Sequence, residues 1–274
     1  MPIRIVTDSN CDLPPELVAR YNILVVPSLL ILDGQPLRDG VDISRAEFYL
    51  RLPQLKPTPT TAAPAAGDFE AAFRACGRDP LVCLTVAAAF SGIYNAARLG
   101  AEPFGAQVTL VDSGQISMAL GWQVLAAAEA AQAGASLAEV LARVQAVQQR
   151  VRLYAALDTL EYLRRGGRAS LMEALMGGLL QVKPILEVKD SRPITLAKVR
   201  TRARAQFELA ARAEALGPLA RLAVLHTACL DRAQALAERL AHCSAEPPLI
   251  TEATAVLGTH VGPGALAVAA IIKK

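Results

Sequence analysis

Four short runs rich in β-branched residues or leucine, at 3–7, 23–32, 81–86 and 108–111, each close on turn residues and mostly lead into a helical pattern. Strand, turn and helix in that rotation predict a mostly parallel sheet with flanking helices, because parallel neighbours need a long crossover. Residues 114–134 and 136–151 then read as two consecutive helices, the second carrying Leu137, Val140, Leu141, Val144 and Val147 at three- and four-residue spacing. Beyond them 153–157 reads as a strand, and 181–199 as a hairpin turning at Lys189, Asp190, Ser191, Arg192 and Pro193. Strands at 222–226, 249–256 and 265–272, with a helix at 231–241, complete a second α/β set. The expected architecture is therefore two α/β domains: 1–150 with a mostly parallel sheet and flanking helices, and 151–274 with a mixed sheet and helices. The Pro- and Thr-rich stretch 53–64 disfavours helix and reads as an extended surface loop.

Composition removes several classes of partner. The chain is 53% hydrophobic but only 4% aromatic, as suits alanine- and leucine-rich helices packed on sheets. A net charge of +3, from 28 basic and 25 acidic residues spread along 274 positions, leaves no extended phosphate-tracking surface, so nucleic acid is not expected. Five cysteines without a CxxC pair argue against a disulfide framework and a zinc site, and for reduced thiols in a cytoplasm. Apolar runs fall short of the roughly 20 residues of a spanning helix, and MPIRIVTDSN reaches charge too early for a secretory signal.

Three segments carry candidate chemistry. In PTPTTAAPAAGDF, Thr60 and Thr61 present hydroxyls just ahead of a helix, where they either bind or satisfy loop backbone. In FSGIYNAA, Ser91 and Gly92 lie where a strand hands over to a helix, a position whose open N–H groups suit a carboxylate or phosphate; an ordinary N-cap explains Ser91 equally well. In GTHVGPG, between two apolar strands, three glycines and a proline bracket His260, so backbone can approach a ligand closely and the imidazole can donate to it. Asp112 and Ser113 end a strand and either bind ligand or cap the next helix. Arginine forks in LEYLRRGGR and KVRTRAR, namely Arg168, Arg200 and Arg202, suit a phosphate or an acidic partner.

Taken together, IVTDSNCDLP, TTAAPAAGDF, FSGIYNAA, VDSGQIS, LEYLRRGGR, VKPIL, KVRTRAR and GTHVGPGA occur in the order that resembles the DegV family, over essentially the whole chain. The resemblance implies a lipid-binding protein, not an enzyme in its own right, that encloses a long-chain fatty acid such as palmitate, stearate or oleate between its two domains. It assigns the fatty-acid carboxylate to Thr61, Ser91 and His260, with no further cofactor and no metal. Some similar proteins act as the acyl-binding subunit of a bacterial fatty acid kinase in phospholipid metabolism, which implies an ATP-binding partner subunit, a role for Arg168 toward phosphate or partner, and at most transient membrane contact. Ala62 and Ala63 stand where the family usually has Ser-Gln, and Ala119 where glycine is commoner, so the head-group surroundings and tail pocket are expected to differ. The competing reading is a serine hydrolase acting on acyl esters through Ser91 and His260 with Asp8 or Asp112. Against it, Ser91 lacks the GxSxG elbow that exposes such a nucleophile.

Overall fold

The computed structural model describes residues 2–167 and 182–273. The chain forms two compact units, one of Met1–Ser28 with Ala63–Val151 and the other of Leu29–Ala62 with Arg152–Lys274. A single cut at 150/151 leaves Leu29–Ala62 in the first unit, whereas those residues belong with the second. The reason is apolar packing: Leu30, Leu32, Ile43, Phe48, Tyr49 and Leu52 form one buried cluster with Ala255.

The first unit begins with β1 (Arg4–Asp8), α1 (Pro15–Arg20) and β2 (Leu24–Val26). The chain then leaves it for β3 (Leu29–Leu32), β4 (Gln35–Arg38), α2 (Arg45–Arg51) and β5 (Thr60–Ala62). It returns as α3 (Ala66–Ala75), β6 (Leu81–Thr85), α4 (Ile93–Ala101), β7 (Val108–Asp112), α5 (Met118–Gln132) and α6 (Leu137–Gln148). Its four strands are all parallel in the order β2-β1-β6-β7, as the alternating pattern predicts. Every residue of β6 is buried, as expected of a central strand covered on both faces. Helix α5 is buried from Met118 through Ala128, and an added Cβ at Gly121 would stand 2.5 Å from the Cys11 carbonyl, so the helix closes onto the loop after β1. Ala119 lies fully buried in this helix.

The run 23–32 is not one strand. Residues Pro27 and Ser28 break it, β2 stays in the parallel sheet, and β3 pairs antiparallel with β4 and β5 in a separate three-stranded sheet. The stretch 53–64 is likewise not loop throughout, since Leu30 pairs with Thr61 and draws β5 into that sheet.

The remainder of the second unit comprises β8 (Val151–Ala156), α7 (Glu161–Arg165), β9 (Lys183–Lys189), β10 (Arg192–Val199), α8 (Arg202–Glu214), β11 (Leu219–His226), α9 (Leu230–Leu240), β12 (Leu249–Glu252), α10 (Ala255–Val261) and β13 (Leu266–Ile272). Its six-stranded sheet is mixed, in the order β10-β9-β8-β13-β11-β12, with β11 and β12 parallel and the β9–β10 hairpin antiparallel. Asp190 and Ser191 turn that hairpin with φ of 50° and 57°, the two positive values a tight two-residue turn demands. Leu209 and Leu236 from the helices meet Val224 and Val268 from the sheet in its main core. Among the described residues no helix is long and apolar enough to cross a membrane, and none of the five cysteines is in a disulfide.

Candidate functional site

The apolar stretch 249–256 ends as a strand at Glu252, and the GTH motif is helical, not the glycine-rich loop between strands that its sequence suggests. Thr254 leaves the extended conformation as N-cap, Ala255 N–H donates to Asp39 Oδ1 at 3.2 Å, and the chain winds into α10 with His260 in its last turn. Gly258 is a poor helix former by itself. Here it is required, because a Cβ would stand 2.5 Å from the Tyr49 hydroxyl, which donates to Ala253 O at 3.0 Å and Thr254 O at 3.3 Å. Asp39 and Tyr49, both from the Leu29–Ala62 segment, thus fix the start of the helix that carries His260.

His260 and Thr61 are brought together. Thr61 Oγ1 and His260 Nε2 lie 2.9 Å apart across 199 residues of chain, both half-buried. Strand pairing with Leu30 holds Thr61 in place, while Thr60 on the same strand is exposed. Behind the imidazole stands Gly166, where an added Cβ would be 2.7 Å from His260 Nδ1. Gly262 faces the Tyr162 ring still more closely, with φ of +72°. The diglycine of LEYLRRGGR therefore works by lacking side chains: Gly166 lets α7 close on the imidazole, and Gly167 supplies a φ of +78°. Arg164 and Arg165 of that motif both hydrogen-bond Glu161 and hold its carboxyl down at about 2.

Ser91 lies in the first unit, half-buried, one residue before the N-cap Gly92 of α4, so it is not the cap itself; its Oγ accepts from Ile93 N–H at 3.4 Å. The segment leading to it is tied down at both sides. Asp8 Oδ2 accepts from Val86 N–H at 2.8 Å, and Asp112 Oδ2 from Ala88 N–H at 3.3 Å. Burial pushes the Asp8 carboxyl above its ordinary value, although the N–H groups of Val86 and Asn10 pull the other way. Asp112 also accepts from Gly114 N–H at 2.9 Å, and Ser113 Oγ donates to Gln115 O and accepts from Gln115 N–H, each at 3.1 Å. Asp112 and Ser113 thus shape the loops at the carboxyl end of the parallel sheet, and the carboxylates offered for a hydrolase triad hold backbone amides.

Arg202 is paired. Its guanidinium grips Asp158 twice, at 3.0 and 2.7 Å, while Lys183 Nζ reaches the same carboxylate at 2.6 Å. Burial raises the Asp158 carboxyl, but these donors outweigh it and hold the group at about 2. Arg200 is exposed between β10 and α8, and Arg168 lies outside the described residues. Sequence reasoning missed Tyr49, Tyr162, Gly166 and Thr227, of which only the GG pair left a legible signal.

Residues 2–273 match the family model described as "Uncharacterised protein, DegV family". A DegV domain-containing protein of Streptomyces coelicolor is 38% identical over 275 residues, 97% of each chain. Among solved structures, a DegV family protein of Thermus thermophilus, described for its fatty acid binding, is similar with a TM-score of 0.91 at 31% identity over 100% of both chains. A stearic acid-binding protein of Eubacterium ventriosum is similar with a TM-score of 0.88 at 25% identity, covering 99% of this chain and 98% of that one.

Proposed function

The chain belongs to the DegV family, and on that footing we propose that it is a carrier that binds one long-chain fatty acid, of the palmitate, stearate or oleate class, and performs no covalent chemistry on it. The observation that carries this reading is the Thr61–His260 pair at 2.9 Å. A hydroxyl and an imidazole at that separation can both turn toward one carboxylate, and a carboxylate removed from water needs such donors. The tail supplies the affinity, at about 0.8 kcal/mol for each CH₂ buried. Ser91 is proposed as a further carboxylate contact on the family resemblance, with Thr60, Gly92, Asp112 and Ser113 as lesser candidates. Fatty acid binding in similar DegV structures supports the reading.

Fatty acid should remain with protein purified from cells, detected by lipid extraction and native mass spectrometry. His260→Ala and Thr61→Ala should each weaken oleate binding by about 1–3 kcal/mol, the range for a lost buried hydrogen bond. Delipidated protein that binds no oleate would overturn the carrier reading; normal affinity in both variants would move the carboxylate elsewhere.

We further propose that the bound carboxylate is presented in the cytoplasm to a separate ATP-binding kinase subunit that forms acyl phosphate for phospholipid synthesis. No GxxxxGK[ST] loop for nucleotide phosphates occurs in this chain. Exposed Arg200 and, by resemblance, Arg168 are assigned to phosphate or partner contact, and Arg202 would have to share its grip on Asp158 to join them. With ATP and magnesium alone the protein should leave oleate unmodified, and acyl phosphate should form only when the kinase subunit is added. Acyl phosphate made without it would refute this division of labour.

A further inference from the structure

We infer that Thr227, seconded by Arg232, is a positioning residue for the head-group site, setting the loop that fixes the orientation of His260. The inference rests on the carrier reading for its functional meaning and on geometry alone for the clamp. Thr227 follows directly after β11 and is only 2% exposed. Each of its hydrogen-bonding groups engages residues 262–265, the segment that leaves α10 just past His260. Thr227 N–H donates to Ala265 O at 3.1 Å, and Thr227 O accepts from Gly264 N–H at 2.6 Å. Its hydroxyl donates to Gly262 O at 2.7 Å and accepts from Ala265 N–H at 2.8 Å. From α9, Arg232 donates to Gly264 O at 2.9 Å.

The consequence for His260 comes from the rest of its support. The start of α10 is fixed by Asp39 and Tyr49. At its end Gly262 N–H closes the last turn on Gly258 O, and Gly262 O is the atom that the Thr227 hydroxyl takes. Gly262 in turn lies against Tyr162, whose helix ends in the Gly166 that backs the imidazole. A loop loosened at Thr227 therefore frees the turn that carries His260 and the ring-facing surface behind it together. Two flanking glycines at φ of +72° and +85° would otherwise leave this segment wide conformational choice.

The test uses the full chain, delipidated, with oleate as probe and the His260 Cε1–H resonance as a second readout. Thr227→Val keeps the shape, removes the hydroxyl with both of its hydrogen bonds, and should shift that resonance and weaken oleate binding about ten-fold. Thr227→Ser should restore both. A Thr227→Val protein with an unmoved His260 resonance and unchanged affinity overturns the inference. If Thr227→Val does not fold, Arg232→Met must shift the same resonance in the same direction by a smaller amount, and an unmoved resonance there overturns it too. Should the unaltered protein bind no oleate, the carrier reading fails while the resonance still decides whether Thr227 positions His260.

Discussion

Gly166 shows how a site can depend on atoms that are absent. Its φ is negative, so alanine suits the backbone, and only the approach of a Cβ to His260 Nδ1 at 2.7 Å and to Tyr162 O at 3.0 Å forbids it. Gly166→Ala should therefore tilt the imidazole away from Thr61, weaken oleate binding about 5- to 30-fold, and lower stability by about 1–2 kcal/mol, as overpacking does. Titration with oleate alongside thermal unfolding checks both, and full affinity would mean the ring has room to spare. Thr61 and His260 were legible in the sequence because they bear chemistry inside distinctive motifs. Tyr49 and Thr227 were not, since a phenol in an apolar run and a threonine after a strand look alike wherever they stand, and Gly166 showed only as half of a GG pair.

At the level of elements, local pattern failed where tertiary partners overrule it. Residues 249–256 have the β-branched, apolar character of one strand, yet the amide of Ala255 is taken by Asp39 and the chain coils instead. No window of sequence around 255 contains residue 39. The β9–β10 hairpin, by contrast, was legible because its turn residues and alternation are local. A different tie joins elements around Asp158, which comes just after β8 and holds Lys183 of β9 and Arg202 of α8. Its folded-state value of about 2 lies below the ordinary 3.8, so the unfolded chain takes up the proton first as pH falls. The stability it contributes is complete above about pH 4 and lost progressively toward pH 2. Asp158→Asn should cost about 1–2 kcal/mol at pH 7, discounted for the exposed Arg202, because Lys183 is left half-buried beside a neutral amide. Urea midpoints at neutral and acid pH should show the gap between the two proteins closing as acid is added. A gap that stays constant would assign the loss to packing.

Across the whole molecule, the alternating rhythm of strand and helix announced the fold class, and the mixed second sheet was foreshadowed by its hairpin. The traverse of Leu29–Ala62 into the second unit was hidden, because the run 23–32 is apolar on both sides of Pro27 and Ser28, and that local break does not say which sheet β3 will join. That traverse has a consequence for synthesis. A nascent chain emerges from the ribosome N-terminus first, and segments form structure as their partners arrive. Phe48 and Tyr49 appear early, but their partner Ala255 and the acceptor carbonyls at 253 and 254 arrive some two hundred residues later. The first unit can close meanwhile, since its last residue is Val151. The early apolar segment must wait, and a chain stopped anywhere from position 61 to 259 carries Thr61 without the imidazole that answers it.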